Sequence, residues 1–190
     1  MNVVIPPQES VPFNPEIIVQ DNFMPDEFCD NLAYILANPD STFPWFFGEA
    51  NYPDSTQTEE LTDALTNWQF SHVFYSHPSH NYDTFHLVKP VIDKINPDAL
   101  FRVKANINPN TLHQIVHGYH VDETNTGTTS ILYLNDNNGM TIFKPDYYQV
   151  ESKKGRLVTF DNRILHSGTT TTDTRFRLVL NINYYKHSLL

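Results

Sequence analysis

The chain has 190 residues, of which 39% are hydrophobic and 13% are aromatic. A chain of this size can bury a core within one domain, so folding requires neither a disulfide framework nor a structural metal. The formal net charge of −10 disfavours nonspecific binding to nucleic acid or to an anionic membrane surface.

The cysteine content and the hydropathy pattern indicate a cytoplasmic protein. Cys29 is the single cysteine, which fits a reducing compartment. No apolar run approaches the roughly 18 residues that a membrane span needs. The N-terminus also lacks the basic and apolar segments of a secretory signal. We therefore expect no membrane contact.

The N-terminal half predicts two strands and two helices. Residues 16–20 read as a short strand. A Pro-Asp pair then starts an amphipathic helix over 26–37, where apolar residues recur at helical spacing. The acidic, Thr-rich stretch 51–66 predicts a loop, 68–75 a strand, and 85–95 a second helix.

The C-terminal half predicts a β-rich domain core. Apolar residues from Phe101 to Ile107 alternate with Arg102, Lys104, Asn106 and Asn108, which indicates a strand with one buried face. Short strands separated by turn residues favour a sandwich or barrel. We predict a mainly β fold in which two helices buttress a jelly roll. The further predicted strands are 128–134, 141–143, 147–150, 156–160 and 176–185.

A candidate metal site is formed by His120, Asp122 and His166. On a strand, residues i and i+2 point to the same face, so His120 and Asp122 can converge on one ion. His166 follows a different predicted strand and would supply the third ligand. Two imidazoles and one carboxylate on one face of an octahedron leave three positions open, an arrangement that suits iron(II). Chance occurrence of a His-x-Asp triplet is the alternative.

Arg175 lies nine residues beyond His166, near the last predicted strand. An oxoacid that chelates iron through its 2-oxo acid end needs a fixed cation at its far carboxylate. Arginine suits that task because its planar guanidinium binds carboxylates in a bidentate manner and stays charged. A surface ion pair is the alternative interpretation of this residue.

Two further histidines precede the metal motif. His113, His117 and His120 have the spacing i, i+4 and i+7, which on a helix would suggest a zinc cluster. The sequence Asn108-Pro109-Asn110 and Gly118 oppose a helix here. We therefore interpret His113 and His117 as loop residues near the mouth of the site.

These motifs together resemble the prolyl-hydroxylase-like branch of the 2-oxoglutarate oxygenases. The resemblance rests on His-Val-Asp at 120–122, Leu-Tyr-Leu-Asn at 132–135, Asn-Gly-Met-Thr-Ile-Phe at 138–143 and the closing run from His166 to Phe176. It spans about residues 99–185 and is similar to hypoxia-sensing prolyl hydroxylases and to small phage and bacterial members. The strand and helix of IIVQDNFMPDEFCDNL also resemble that branch, more loosely.

The resemblance implies a double-stranded β-helix, a distorted jelly roll, whose cofactors are Fe(II), 2-oxoglutarate and O₂. Ascorbate could assist. We expect a single oxygenase domain over 1–190, with residues 1–98 as strand and helix support and 99–187 as the jelly-roll core. The expected location is the cytoplasm, or the host cytoplasm if the chain is phage-encoded.

The resemblance also implies a cosubstrate site. Arg175 matches the arginine that holds the C5 carboxylate of 2-oxoglutarate, and Tyr133 matches a tyrosine that shares it. Asn106 and Asn108 stand where relatives often have a tyrosine, and either could bind the 1-carboxylate or the substrate. Arg177 departs from the family pattern, where a small residue is usual, and is a second cosubstrate anchor, a contact to an acidic substrate group or a surface ion pair.

The expected reaction is hydroxylation of a C–H bond, with a prolyl residue in a peptide or protein as the first candidate substrate and a small molecule as another. Segments 43–60, 76–84 and 123–128 are expected to frame the mouth of the site. A cupin-like metal-binding isomerase, or a metal- or ligand-binding protein without oxygen chemistry, is the alternative. No role for nucleic acid is expected.

Overall fold

The computed structural model of the chain describes residues 17–50, 67–78, 82–122 and 127–187. Within these ranges the chain forms ten strands and three helical segments. The helices are α1 (Asp26–Ala37), α2 (Tyr82–Phe85) and α3 (Lys89–Ile95). The strands are β1 (Ile17–Gln20), β2 (Phe46–Glu49), β3 (Trp68–Ser76), β4 (Ala99–Pro109), β5 (Thr128–Tyr133), β6 (Met140–Phe143), β7 (Tyr148–Glu151), β8 (Leu157–Asp161), β9 (His166–Gly168) and β10 (Phe176–Tyr185).

The strands form two antiparallel sheets. The larger sheet has seven strands in the order β1-β8-β5-β10-β4-β3-β2, and the smaller one has three in the order β7-β6-β9. Apolar side chains of the two sheets share one buried cluster, in which Ile131 and Val179 of the larger sheet accompany Phe143 and Val150 of the smaller. The predicted mainly β jelly roll is confirmed.

The helices pack on the opposite face of the larger sheet. Strand residues alternate between faces, so Leu178 and Leu180 of β10 point away from the inner cluster and contact the helix side. Helix α1 buries Cys29, Leu32 and Leu36 in that second core. The two helices therefore buttress one face, as predicted. No helix in the described ranges is long and apolar enough to cross a membrane.

Several predicted elements differ from those observed. The helix predicted over 85–95 is two segments, because single turns end at Leu87 and Val88 and Pro90 lies in the first turn of α3. Strands β2 and β9 were not predicted, and the loop predicted over 51–66 lies outside the described residues. The helix predicted over 26–37 is confirmed as α1.

A backbone bridge brings the His-x-Asp segment to the smaller sheet. His120 and His166 exchange two hydrogen bonds, each with an N···O distance of 2.9 Å. His166 in turn pairs with Phe143 of β6. The bridge places residues 46 positions apart side by side at the open end of the sandwich.

Candidate metal centre and anion site

The structure brings the side chains of His120, Asp122 and His166 together. Their ligand atoms all lie within 4.8 Å of one another. His120 Nε2 is 3.9 Å from Asp122 Oδ1, and His166 Nε2 is 3.8 Å from Asp122 Oδ2. One carboxylate thus faces two imidazole nitrogens, the donor set that iron(II) takes in a facial triad.

Backbone carbonyls orient both imidazole rings. The Nδ1 atom of His166 lies 2.9 Å from Ile164 O, and that of His120 lies 3.4 Å from Gly118 O. Because a carbonyl oxygen can only accept, the proton is on Nδ1 in each ring and Nε2 keeps its lone pair. The lone pairs face Asp122, as metal ligation requires.

Three donors hold Asp122 in place. The Thr129 hydroxyl donates to Oδ2 over 2.8 Å, Asn181 Nδ2 donates to the same oxygen over 3.3 Å, and Arg102 reaches Oδ1 at 3.4 Å. Such outer contacts fix the direction of a ligating carboxylate. The side chain is nearly buried, with 5% exposed.

The protonation states of the triad also suit a cation. Burial and the neighbouring His166 together lower the pKa of His120 to about 3. Burial acts to raise the pKa of Asp122, but His166, His120 and Arg102 outweigh it and hold that pKa well below its usual range. At neutral pH the site therefore offers a neutral His120 and an ionised Asp122.

Arg177 is a buried cation in the same cavity, with 3% of its surface exposed. Its guanidinium donates to Ser152 Oγ at 2.8 Å, Asn108 Oδ1 at 3.2 Å and Thr141 Oγ1 at 3.0 Å. All three acceptors are neutral, and none of the ion pairs found among the described residues involves Arg177. Burial lowers its pKa. A buried cation without a counter-charge costs several kcal/mol, so this position favours an anionic ligand.

The Arg177 side chain packs closely against two glycines. A Cβ atom at Gly139 would lie 2.6 Å from Arg177 Cδ, and one at Gly168 would lie 3.2 Å from its Nη1. The Tyr133 ring lies under the guanidinium, 5.5 Å from its central carbon. Close packing on both sides preorganises the cation for its ligand.

Arg175 was expected to hold the C5 carboxylate of 2-oxoglutarate. Its side chain is exposed and does not line the cavity, whereas Arg177 does. The physical reason is the start of β10 at Phe176: Arg175 lies before the strand, where the alternation of faces does not hold. Arg177 is the first inward residue of β10, opposite Asn108.

The remaining predicted residues lie beside this cation or in the cavity. Tyr133 is fully buried and does not line the cavity. Its hydroxyl donates to Oγ1 of the cavity residue Thr141 at 2.7 Å and so helps to position that residue. Asn106 and Asn108 both line it. In the described parts of the chain, Asn106 Oδ1 is buried and has no hydrogen-bond partner.

His117 was predicted to be a loop residue near the mouth of the site, and it lies in an irregular segment that lines the cavity. Because Arg177 only donates, the accepting Oδ1 of Asn108 is fixed, and Asn108 Nδ2 donates to His117 Nε2 over 3.2 Å. The proton of neutral His117 is therefore on Nδ1, which has no acceptor among the described residues. Burial and Arg177 lower the pKa of His117 to about 4. The histidine spacing drew attention to this residue, but no sequence pattern indicates its contact with Asn108.

Two further cavity residues were not predicted as functional, Lys104 and Asn181. Lys104 is on the polar face of β4 that the alternation does identify, together with Asn106 and Asn108. Asn181 is two positions beyond Val179 on the inner face of β10, so strand periodicity could have found it.

The structure describes part of the segments that were expected to frame the mouth of the site. Ala50 and Gln69 line the cavity beside β2, whose Phe46 and Phe47 are 65% and 70% exposed. Residues 51–60, 79–81 and 123–126 of the segments expected to frame the mouth lie outside the described residues.

Comparisons with known proteins bear on the fold. No protein-family model matches the sequence, and no curated protein matches it either. Among solved structures, the chain is similar to a prolyl-4-hydroxylase from Pseudomonas putida, with a TM-score of 0.58 and 16% identity over 90% of this chain and 93% of that one. It is also similar to a prolyl hydroxylase from Trichoplax adhaerens in complex with a hypoxia-inducible factor peptide, with a TM-score of 0.60 and 12% identity over 90% and 84% of the chains.

A third similar structure is the non-haem α-ketoglutarate-dependent epimerase SnoN from nogalamycin biosynthesis, with a TM-score of 0.58 and 12% identity over 90% of this chain and 78% of that one. The chain therefore has the fold of 2-oxoglutarate and iron(II) oxygenases. At these identities the likeness defines the fold, and the chemistry has to be argued from the site.

Proposed function

We propose that this protein is an Fe(II)- and 2-oxoglutarate-dependent dioxygenase that hydroxylates a C–H bond and releases succinate and CO₂. The observation that carries the proposal is one cavity containing two functional groups: the His120, Asp122 and His166 donor set, and the buried cation of Arg177. A metal-binding protein without an oxoacid cosubstrate has no use for the second.

The triad would hold iron on one face of its coordination sphere. Bound iron would activate dioxygen, the oxidant for C–H hydroxylation, and 2-oxoglutarate would supply two of the electrons as it is oxidised to succinate and CO₂. The protein's own contribution is geometric: the Ile164 and Gly118 carbonyls aim the imidazoles, and Thr129 aims the carboxylate. Orientation by such outer contacts affects metal affinity by roughly 10- to 100-fold.

Arg177 would bind the C5 carboxylate of 2-oxoglutarate. Its contacts with Asn108, Thr141 and Ser152 hold the guanidinium plane before the ligand arrives. The unpaired Nδ1–H of His117 lies in the same cavity wall and is a second donor for an anionic oxygen. Such preorganised donors reduce the cost of binding. Arg175 has no part in this proposal.

The first candidate substrate is a prolyl residue in a peptide or protein, hydroxylated on its ring. The sequence resemblance supports it, as does the similarity to two proteins described as prolyl hydroxylases. A small molecule is the second candidate, because the similar epimerase was solved with nogalamycin RO. Ile131 and Val179 give the cavity an apolar wall that would exclude water from the reacting carbon.

The proposal treats residues 1–190 as one oxygenase domain, with the support and core boundaries given above. The larger sheet supports this view because β1 and β3 of the N-terminal part pair with β8 and β4 of the core. Cys29 is buried and unpaired, which is consistent with a cytoplasmic location.

The test is an anaerobic titration of iron-loaded protein with 2-oxoglutarate, followed by the weak visible charge-transfer band of the chelate. The wild type should develop the band, and Asp122→Ala should not. Wild-type protein that binds iron without developing the band would contradict the oxygenase proposal and favour the cupin-like alternative.

A further inference from the structure

The cavity contains a second cation at a distance from Arg177. In the ladder between β4 and β10, Arg177 lies opposite Asn108, whereas Lys104 lies opposite Asn181. These two levels are four residues apart along each strand, which corresponds to roughly 13 Å. One cavity thus contains two positive side chains at different levels of its wall.

Lys104 is partly buried, and no acidic group of the described residues lies within ion-pair distance of its ammonium. The ion pairs of Asp122 in the described structure are with Arg102 at 3.4 Å, His120 at 3.9 Å and His166 at 3.8 Å, and they do not include Lys104. Burial and the neighbouring Arg102 together lower the pKa of Lys104 to about 8, although Asp122 acts to raise it. An anion bound at Lys104 would offset the cost of holding this charge.

Asn181 supplies an unpaired acceptor beside that cation. Its Nδ2 donates to Asp122 Oδ2, and since an ionised carboxylate can only accept, the orientation of the amide is fixed. Its Oδ1 is consequently the free end, buried and without a donor in the described parts of the chain. Residues directly opposite in an antiparallel pair have Cβ atoms about 4.5–5.5 Å apart, so Lys104 and Asn181 flank one small space.

We propose that Lys104 and Asn181 form a substrate subsite for the headgroup of an α-amino acid, in which Lys104 binds the carboxylate and Asn181 Oδ1 accepts an N–H. This inference rests on the proposed oxygenase function and specifies its substrate class. Asn181 also contacts the metal ligand Asp122, so the subsite places the substrate next to the reacting centre.

The subsite discriminates between the two substrate classes considered above. A prolyl residue inside a peptide chain has neither a free carboxylate nor an N–H, so it matches neither group. A free amino acid such as proline offers both. A residue at the C-terminus of a peptide offers the carboxylate and shares that part of the chemistry.

The experiment uses the twenty L-amino acids, their amides and the glycyl dipeptides ending in each residue as probes. Their binding to the anaerobic iron and 2-oxoglutarate complex is followed by the change in its charge-transfer band. The wild type should bind at least one free amino acid tenfold or more tightly than the matching amide, since a charge-assisted hydrogen bond is worth roughly 10- to 100-fold. The dipeptides separate a free amino acid from a C-terminal residue.

Three variants test whether Lys104 causes the preference for the free amino acid over its amide. Lys104→Met should abolish it, and Lys104→Arg should retain most of it. Lys89→Met, which removes an exposed lysine paired with Asp93, should leave it intact. Lys104→Met should weaken the amino acid far more than 2-oxoglutarate.

The proposal is wrong if no carboxylate-bearing probe is preferred over its amide, or if the preference survives in Lys104→Met. It is also wrong if Lys104→Met weakens 2-oxoglutarate as much as the amino acid, since Lys104 would then belong to the cosubstrate site. If wild-type protein forms no chelate band, the proposed oxygenase function has failed. Calorimetry of the same probe pairs on iron-free protein then still tests Lys104.

Discussion

The two cations of the cavity are held in opposite ways. Arg177 is fixed by three neutral acceptors and packed against two glycines. Lys104 has no ion pair or hydrogen bond at its ammonium in the described structure and adjoins an unpaired Asn181 oxygen. The preorganised end suits the cosubstrate that the proposed reaction always uses, and the cation without a fixed partner suits the substrate.

The difference has a structural origin in the strands. Arg177 is at the start of β10, where the β6 and β9 strands of the smaller sheet cover the cavity with Thr141 and Gly168. Lys104 is at the middle of β4, on the level of Asp122 and Asn181. The metal ligand Asp122 therefore lies on the Lys104 side of the cavity and away from Arg177, and substitutions at each level should have distinct consequences.

The largest effect is expected on iron binding, from substitution of the metal ligand Asp122. Asp122→Ala removes the carboxylate that faces both imidazoles, so iron affinity should fall by more than the roughly 100-fold reached by changes in outer contacts. Equilibrium dialysis with iron(II) measures this directly. Asp93→Ala, at an exposed ion pair on α3, is the matched control. Retention of iron within about tenfold by Asp122→Ala would remove the aspartate from the metal site.

The pH dependence of stability should report on His117, which lies beside Arg177 in the cavity wall. Folded His117 has a pKa of about 4 against an ordinary value of 6.5. Between these values the unfolded chain binds the proton that the folded chain does not, so stability falls as the pH falls towards 4. At about 1.4 kcal/mol per pKa unit the loss is roughly 3 kcal/mol.

The measurement is denaturant unfolding of wild type and His117→Gln from pH 7 to pH 4. Because glutamine does not titrate, the unfolding free energy of the wild type should fall by about 3 kcal/mol relative to that of the variant as the pH falls. His120 titrates in both proteins and cancels. A difference that is constant across this range would show that His117 is not held neutral by burial beside Arg177.

A smaller effect should come from displacing Arg177 without removing it. A Cβ at Gly139 would lie 2.6 Å from Arg177 Cδ, and overpacking of this kind costs about 1–3 kcal/mol. Gly139→Ala should therefore weaken 2-oxoglutarate by roughly 5- to 100-fold in the chelate titration. Gly48→Ala, where no atom lies within 4 Å of the added Cβ, should have no effect. Equal affinities for the two variants would show that Arg177 need not be fixed.

Much of the scaffold could be predicted because local patterns define it. Helical spacing identified α1 to the residue, and the period-two alternation of residues 101–108 identified the polar cavity face of β4. The His-x-Asp triplet and His166 were found in the same way. By contrast, β9 has only three residues, His-Ser-Gly, which no propensity marks as a strand.

The arginine assignment shows what a sequence pattern cannot determine. The resemblance favoured Arg175 as the anchor, whereas the pairing of β10 with β4 sets Arg177 opposite Asn108 in the cavity wall. His117 is a similar case, because its role depends on Asn108, which is turned towards it by Arg177 from another strand. Both features arise from pairing between distant strands and have no local signature.

The most direct test compares the two arginines. The dissociation constant of 2-oxoglutarate is measured by anaerobic chelate titration in wild type, Arg177→Met and Arg175→Met. Loss of a buried charge partner costs about 2–5 kcal/mol, so Arg177→Met should weaken the cosubstrate by at least about 30-fold. Arg175→Met, which alters an exposed side chain two residues earlier, should stay within about twofold of wild type. The reverse order would contradict the account by returning the anchor to Arg175.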